Sequence, residues 1–271
     1  MADAASRLLA DDEPSPVLLH PPGADPQGWA AGGSPFLIAS DHAGRRIPRR
    51  LGSLGLAESE LRRHIGWDIG AWAVSTLLAD ALETLAVGQG YSRLVIDCNR
   101  APHWASACPQ VSESTPIPGN ANLSPADRAA RVAEIHAPYH AALAGLVQAR
   151  IGATRPLLFV AMHSFTPHYK GVARPWHAGV LFDAAEPSGV ALAEIMLGLL
   201  RDEPELVVGA NEPYVLSATS DHSVPVHAHA NGVPYLELEI RQDLIADPAG
   251  QRAWANRLAR LVPRAWARFT A

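Results

Sequence analysis

Two histidines, His42 and His163, each follow an apolar run of strand length, Phe36-Leu37-Ile38-Ala39 before the first and Leu157-Leu158-Phe159-Val160-Ala161-Met162 before the second. Imidazoles delivered by two independent strand ends suit a catalytic zinc centre. Zn²⁺ accepts a mixed nitrogen and oxygen shell, so a carboxylate would complete the ligand set and leave one position open for water; another divalent ion could take the same place. Two further strand-like runs end in reactive groups. Leu94 to Ile96 leads to Asp97-Cys98-Asn99-Arg100, and Tyr235 to Ile240 carries Glu237 and Glu239 on the way to Arg241. An open, mostly parallel sheet gathers its ligand site at the carboxyl ends of its strands, so these groups are expected to share one crevice. Such an inventory fits a metal-assisted hydrolase whose small substrate carries a carboxylate.

Strand alternation sets out the last of these motifs. Glu237, Glu239 and Arg241 lie two apart and fall on one face, with Leu236, Leu238 and Ile240 on the other. Two carboxylates and a guanidinium on a buried face are costly unless paired or put to use, so the choice lies between a structural Glu–Arg network and catalysis. In the catalytic reading Glu239 is the general base that takes a proton from the attacking water and returns it to the leaving amine, with Glu237 as the alternative. Arg100 would grip a substrate carboxylate with two parallel hydrogen bonds, Asn99 beside it, while Asp97 supports the site from behind. The competing reading of Arg100 is a surface arginine closing a strand. His136 and His140 are four apart, but Pro138 separates them and no glutamate follows the first, so they read as a helix face or supporting donors. His222, His227 and His229 fall in a polar stretch that could line the mouth.

The elements that must position these residues alternate as an α/β layer structure requires. Apolar positions Ile69, Trp72, Ala73, Leu77, Leu78, Ala81, Leu82 and Leu85 predict a helix over 69–85, with Asp68 where an N-cap belongs. A second helix opens at Ser124-Pro125, is interrupted near Pro138 and resumes towards Leu146; a third spans 189–200; the last runs from Asp247-Pro248 to the end. Leu206 to Gly209 reads as a strand. The stretch 101–123, rich in Pro, Ser and Asn, is a loop long enough to suggest function. Residues 1–35, dense in Pro and Gly after position 11, are set apart as a lead segment without chemistry, leaving 36–271 as a single catalytic domain.

Composition narrows the partners. A chain of 271 residues that is 48% apolar can bury one sizeable core, and a net charge of -5 without Lys/Arg runs argues against nucleic acid or an anionic membrane as partner. Cys98 and Cys108 form no disulfide framework, which makes the cytoplasm the default compartment. The start lacks a basic region followed by a long apolar run, and no segment reaches the roughly 20 apolar residues of a membrane span.

SDHAGRRIP at 40–48, HIGWDIGA at 64–71, YSRLVIDCNR at 91–100, PYH at 138–140, MHSFTP at 162–167, NEPY at 211–214 and LELEIRQDL at 236–244 together resemble the N-formylglutamate amidohydrolase family. The resemblance implies a fold like that of the zinc carboxypeptidases, a three-layer α/β/α arrangement on a mixed, mostly parallel sheet. It also implies hydrolysis of the amide of an N-formyl or small N-acyl amino acid in cytoplasmic amino-acid catabolism, often that of histidine. Carboxypeptidase-like sites place their carboxylate ligand three residues after the first histidine, and here that position is Arg45. Asp68, which matches the acidic position of the second motif, is therefore expected as the third ligand beside His42 and His163, with Asp41 in reserve and a plain N-cap as the competing reading of Asp68. The Asn99-Arg100 step resembles the pair with which such enzymes hold a terminal carboxylate. Many relatives carry glutamine where this chain has Glu237, so its substrate could differ. Rival readings are an exopeptidase or longer-chain deacylase on the same scaffold, and a binding protein without turnover.

Overall fold

A strand covered on both faces needs apolar side chains at successive positions, and the runs at 36–40 and 158–165 are buried throughout. The structure, a computed structural model, describes residues 7–271. Its main sheet contains β1 (Val17–His20), β2 (Phe36–Ser40), β3 (Leu85–Gln89), β4 (Leu158–Phe165), β5 (Ala178–Leu181), β6 (Val208–Ala210) and β7 (Tyr235–Arg241), in the order β1-β3-β2-β4-β7-β5-β6. The four central strands are mutually parallel, while β1 and the β5–β6 pair run antiparallel to their inner neighbours. This is the mixed, mostly parallel α/β architecture expected from the sequence.

Side-chain alternation splits the core into two layers. One face of the sheet carries Phe36, Ile38, Val160, Met162, Leu236, Leu238 and Ile240 against α3 (Ala71–Ala81), α6 (Pro187–Arg201) and α7 (Pro248–Phe269). The other carries Leu37, Ala39, Phe159, Ala161 and Tyr235 against Tyr139, Leu143 and Val147 of α5 (Ala137–Gly152). Continuing that second set along each strand reaches His163 on β4 and Glu237 and Glu239 on β7, and β4–β7 pairing sets Glu239 directly opposite His163.

Several elements differ from the sequence expectation. The helix over 69–85 is shorter, ending at Ala81, and Leu85 instead opens β3 after a turn through Glu83, whose φ is 50°. Leu94 to Ile96 form no strand. Their side chains are fully buried, but the chain turns there, and the carbonyls of Leu94 and Val95 accept hydrogen bonds from Asn120 and the buried Arg131 instead of from a neighbouring strand. β4 continues past Met162 through His163, so that histidine stands within a strand instead of after one. The strand read at 206–209 is β6, two residues later in its start. Pro138 does mark an interruption: α4 (Pro125–Arg131) passes through a wide turn at Val132–His136 before α5 begins. The Pro/Gly-rich lead supplies the edge strand β1 and the short α1 (Pro26–Ala31), and the one-turn α2 (Glu58–Leu61) lies between β2 and α3. Among the described residues no helix is long and apolar enough to cross a membrane.

Candidate metal centre and active site

The loop after β2 turns sharply at Gly44, where a Cβ would lie 2.0 Å from the Gly90 carbonyl oxygen. That close approach leaves Asp41 and His42 buried at the end of the sheet. Asp68 arrives from the opposite side, its backbone N–H donating to the His42 carbonyl at 3.0 Å. The N-cap of α3 is Gly70 at φ 81°, not Asp68, so the plain N-cap reading fails and the Asp68 carboxylate is free to turn inward. A side chain at position 70 would also strike the Ile245 carbonyl.

His42, Asp68 and His163 come together with one potential ligand atom each, all within 4.8 Å of one another. Both Nδ1 atoms approach Asp68 Oδ2, at 3.3 Å from His42 and 3.0 Å from His163. Their far nitrogens have carboxylates behind them. His42 Nε2 donates to Asp97 Oδ1 at 2.8 Å, and His163 Nε2 lies 3.4 Å from Asp41 Oδ2 without hydrogen-bond alignment. Asp41 also accepts from the Tyr139 and Ser223 hydroxyls. Carboxylates that hold the outer nitrogen of an imidazole fix its tautomer and raise its basicity, an arrangement typical of metal-bound histidine.

Electrostatics point the same way. Burial alone would lift the Asp68 carboxyl, but the charge of His42 and the hydrogen bond from His163 carry it far below its ordinary value. Burial and Arg93 oppose protonation of His42, yet Asp97 and Asp68 raise it; burial likewise opposes His163, and the carboxylates of Asp41 and Asp68 beside it raise it well above its usual value. A nest of buried carboxylates and imidazoles that draws protons to its centre is one whose protons a divalent cation could replace. The donor set therefore fits zinc or a similar ion, held by His42, Asp68 and His163.

Around this centre opens a cavity of about 480 Å³. Glu239 and Glu237 reach it from β7; burial pushes Glu237 well up and Glu239 up to about 7, and Glu239 Oε2 is buried without a hydrogen-bond partner. Arg241, expected on the same face, pairs instead with Asp243 at 2.8 Å beyond the strand end and does not line the cavity. The competing reading, a structural Glu–Arg network, is therefore not formed among the described residues: two carboxylates remain on that face without the Arg241 guanidinium. Arg100 lines the cavity, donating to the Asn99 carbonyl at 2.7 Å and standing 3.6 Å from Asp221. The Asn99 amide is engaged elsewhere: its oxygen accepts from the backbone of His222 and Ser223, and its nitrogen donates to Asp221.

Sequence reasoning passed over Arg93, which donates twice to Asp97 at 2.6 and 3.1 Å and lies 3.5 Å from Asp68. It also passed over Tyr214, Asp221 and Glu113 as cavity lining. The signal for Arg93 was its place four residues before Asp97, obscured because that segment reads as a strand. Arg45, in the position where a carboxypeptidase-like ligand would fall, pairs with Glu58 at the surface. The long 101–123 loop lines the cavity with Ser106, Pro109 and Val111 to Glu113.

The sequence profile of the N-formylglutamate amidohydrolase family matches residues 34–246. No curated protein matches the chain. Among solved structures, gene product Atu2144 from Agrobacterium tumefaciens is 35% identical with a TM-score of 0.89, the alignment covering 98% of this chain and 100% of that one. The N-formylglutamate amidohydrolase from Ralstonia eutropha JMP134 is 20% identical with a TM-score of 0.62, covering 92% and 96% respectively, a likeness of fold.

Proposed function

Because the chain belongs to the N-formylglutamate amidohydrolase family, we propose that it is a zinc-dependent hydrolase of N-formyl or small N-acyl amino acids such as N-formylglutamate, working in cytoplasmic amino-acid catabolism. The observation that carries this reading is the convergence of His42, Asp68 and His163 beside an unpartnered Glu239. When bound, the cation polarises the amide carbonyl and makes water a nucleophile near neutral pH. Glu239 accepts a proton from the attacking water, and its value near 7 suits both that step and the return of the proton to the leaving nitrogen. The C–N bond then breaks, giving formate and a free amino acid. Asp97 holds the His42 imidazole in register for this work, and the Asp41 carboxylate supplies charge behind that of His163.

Arg100 is the cation proposed to hold the substrate carboxylate, since Arg93 is already committed to Asp97 and Asp68. Asn99 acts with it by fixing the 221–223 turn that forms the neighbouring wall. Cavity size favours one second reading: about 480 Å³ lies within the range of roughly 300–1,000 Å³ that accepts drug-sized ligands. A deacylase for longer N-acyl groups is therefore the alternative. Turnover of a panel of N-formyl, N-acetyl, longer N-acyl and dipeptide substrates tests both. The fastest kcat/KM is expected on an N-formyl amino acid, and a preference for long acyl chains or dipeptides would replace the first reading with the second.

A further inference from the structure

A second group of imidazoles stands behind the segment 98–100. His136 ends the wide turn before α5, His140 lies one helical turn further on, and His222 follows Asp221 in the turn held by Asn99. The rings of His136 and His140 have centroids 4.3 Å apart, and those of His140 and His222 are separated by 4.8 Å. One ring nitrogen from each of the three lies within 4.8 Å of the others. None of these three residues lines the cavity around Glu239.

Hydrogen bonds fix the tautomers of two of them. His136 Nε2 is 3.0 Å from the Arg100 carbonyl oxygen and His140 Nε2 is 2.8 Å from that of Cys98, so each must carry its proton on Nε2. A neutral ring then presents an Nδ1 lone pair. Imidazole anchored by its far N–H to a backbone carbonyl is a common support of a metal ligand. Burial holds His136, His140 and His222 below the usual histidine value, so the rings are neutral at pH 7 and need not lose protons to bind an ion. His140 Nδ1 accepts from His227 Nε2 at 2.9 Å, so an incoming cation takes that lone pair in place of a hydrogen bond, and His140 loses no proton. Asp41 links the two groups: its Oδ1 accepts from the Tyr139 hydroxyl on α5, and its Oδ2 stands 3.4 Å from His163 Nε2 on β4 without a hydrogen bond.

We propose that His136, His140 and His222 form a second cation site, distinct from the centre at His42, Asp68 and His163, that takes a borderline divalent ion such as Zn²⁺ or Co²⁺ on imidazole nitrogen. The site is independent of the hydrolase reading. An ion there ties α5 to the 98–100 segment and to the 221–223 turn, and so stiffens the wall that carries Arg100.

Titration of chelator-stripped full-length protein with Co²⁺ and then Zn²⁺, followed by visible absorption and elemental analysis after desalting, tests the proposal. Wild type is expected to retain two equivalents, Asp68→Asn one, His222→Ala one, and the double variant none. His222→Gln is measured alongside, and circular dichroism confirms that each variant is folded. Binding by wild type of a single equivalent that is lost in Asp68→Asn and kept in both folded His222 variants, or an unchanged second equivalent in those variants, overturns the proposal. So does a second ion that binds only at millimolar metal and washes away. Loss of the first equivalent in His222→Ala with the second kept would also contradict it, and none of these results bears on the substrate panel.

Discussion

His42 and His163 have carboxylates behind their outer nitrogens, whereas His136 and His140 have carbonyls, and the two pairs respond to burial in opposite directions. Asp97, Asp68 and Asp41 outweigh desolvation at the first pair and raise it. At the second pair desolvation prevails and the rings are lowered. One residue type thus serves two electrostatic purposes in one fold. Where the far partner carries charge, the cluster holds protons or a cation tightly; where it is a dipole, the cluster stays neutral and exchanges more easily.

Glu239 is where the charged cluster can be broken most severely. Glu239→Gln is expected to lower kcat by about 10²- to 10⁴-fold while metal content is kept, as steady-state kinetics with elemental analysis would show. In wild type the acid limb of kcat/KM should rise tenfold per pH unit and level off at or below about 7, because the carboxylate must be ionised to act and a cation nearby lowers its value further. The absence of any acid limb down to the lowest pH at which the enzyme stays folded and keeps its metal would remove Glu239 from that role.

The neutral cluster leaves a signature in stability. His227 is lowered from 6.5 to about 4, so the folded chain refuses a proton that the unfolded chain accepts. Stability therefore falls as pH drops from about 6.5 towards about 4, by up to about 3 kcal/mol for this residue. Denaturant melts of metal-free His227→Gln should show a smaller loss between pH 7 and pH 4 than wild type. The raised pair has the opposite sign: its contribution in the metal-free protein is fully present below 6.5 and is lost as pH rises through the folded values of His42 and His163.

Asp97→Asn sharpens the comparison further, since it converts a carboxylate behind His42 into a neutral amide. Affinity at the His42 centre is expected to weaken about 10- to 100-fold, with Co²⁺ binding at the other cluster unaltered. The smallest effect belongs to Arg45→Ala. That exposed, solvent-screened pair with Glu58 should leave the denaturant midpoint and the metal content indistinguishable from those of wild type.

Much of this arrangement is legible in the amino-acid sequence. The parallel core follows from apolar runs at 36–39, 157–162 and 235–240, and alternation along the last of these separates Glu237 and Glu239 from Leu236 and Leu238. Less visible was anything set by tertiary partners. Leu94 to Ile96 carry the side chains of a buried strand, but Asn120 and Arg131 satisfy the Leu94 and Val95 carbonyls, which no local pattern announces. The helix after Asp68 ran on to Leu85 because Leu82 and Leu85 keep helical spacing, while the left-handed Glu83 that breaks it is an ordinary glutamate. Arg241 obeyed the two-residue period, yet it sits at the strand's last position, where Asp243 draws it away. The imidazole cluster was hidden for a similar reason: His136 and His140 meet His222 only when α5 packs against a turn more than eighty residues away.

The central claim is that His42, Asp68 and His163 hold the ion on which hydrolysis depends. Its most direct test is turnover of an N-formyl amino acid by wild-type protein stripped of metal and then reloaded with zinc, with metal content measured on the same samples. Activity should vanish on stripping and return on reloading, and Asp68→Asn should not recover. Full turnover in a sample shown to be metal-free would contradict the account.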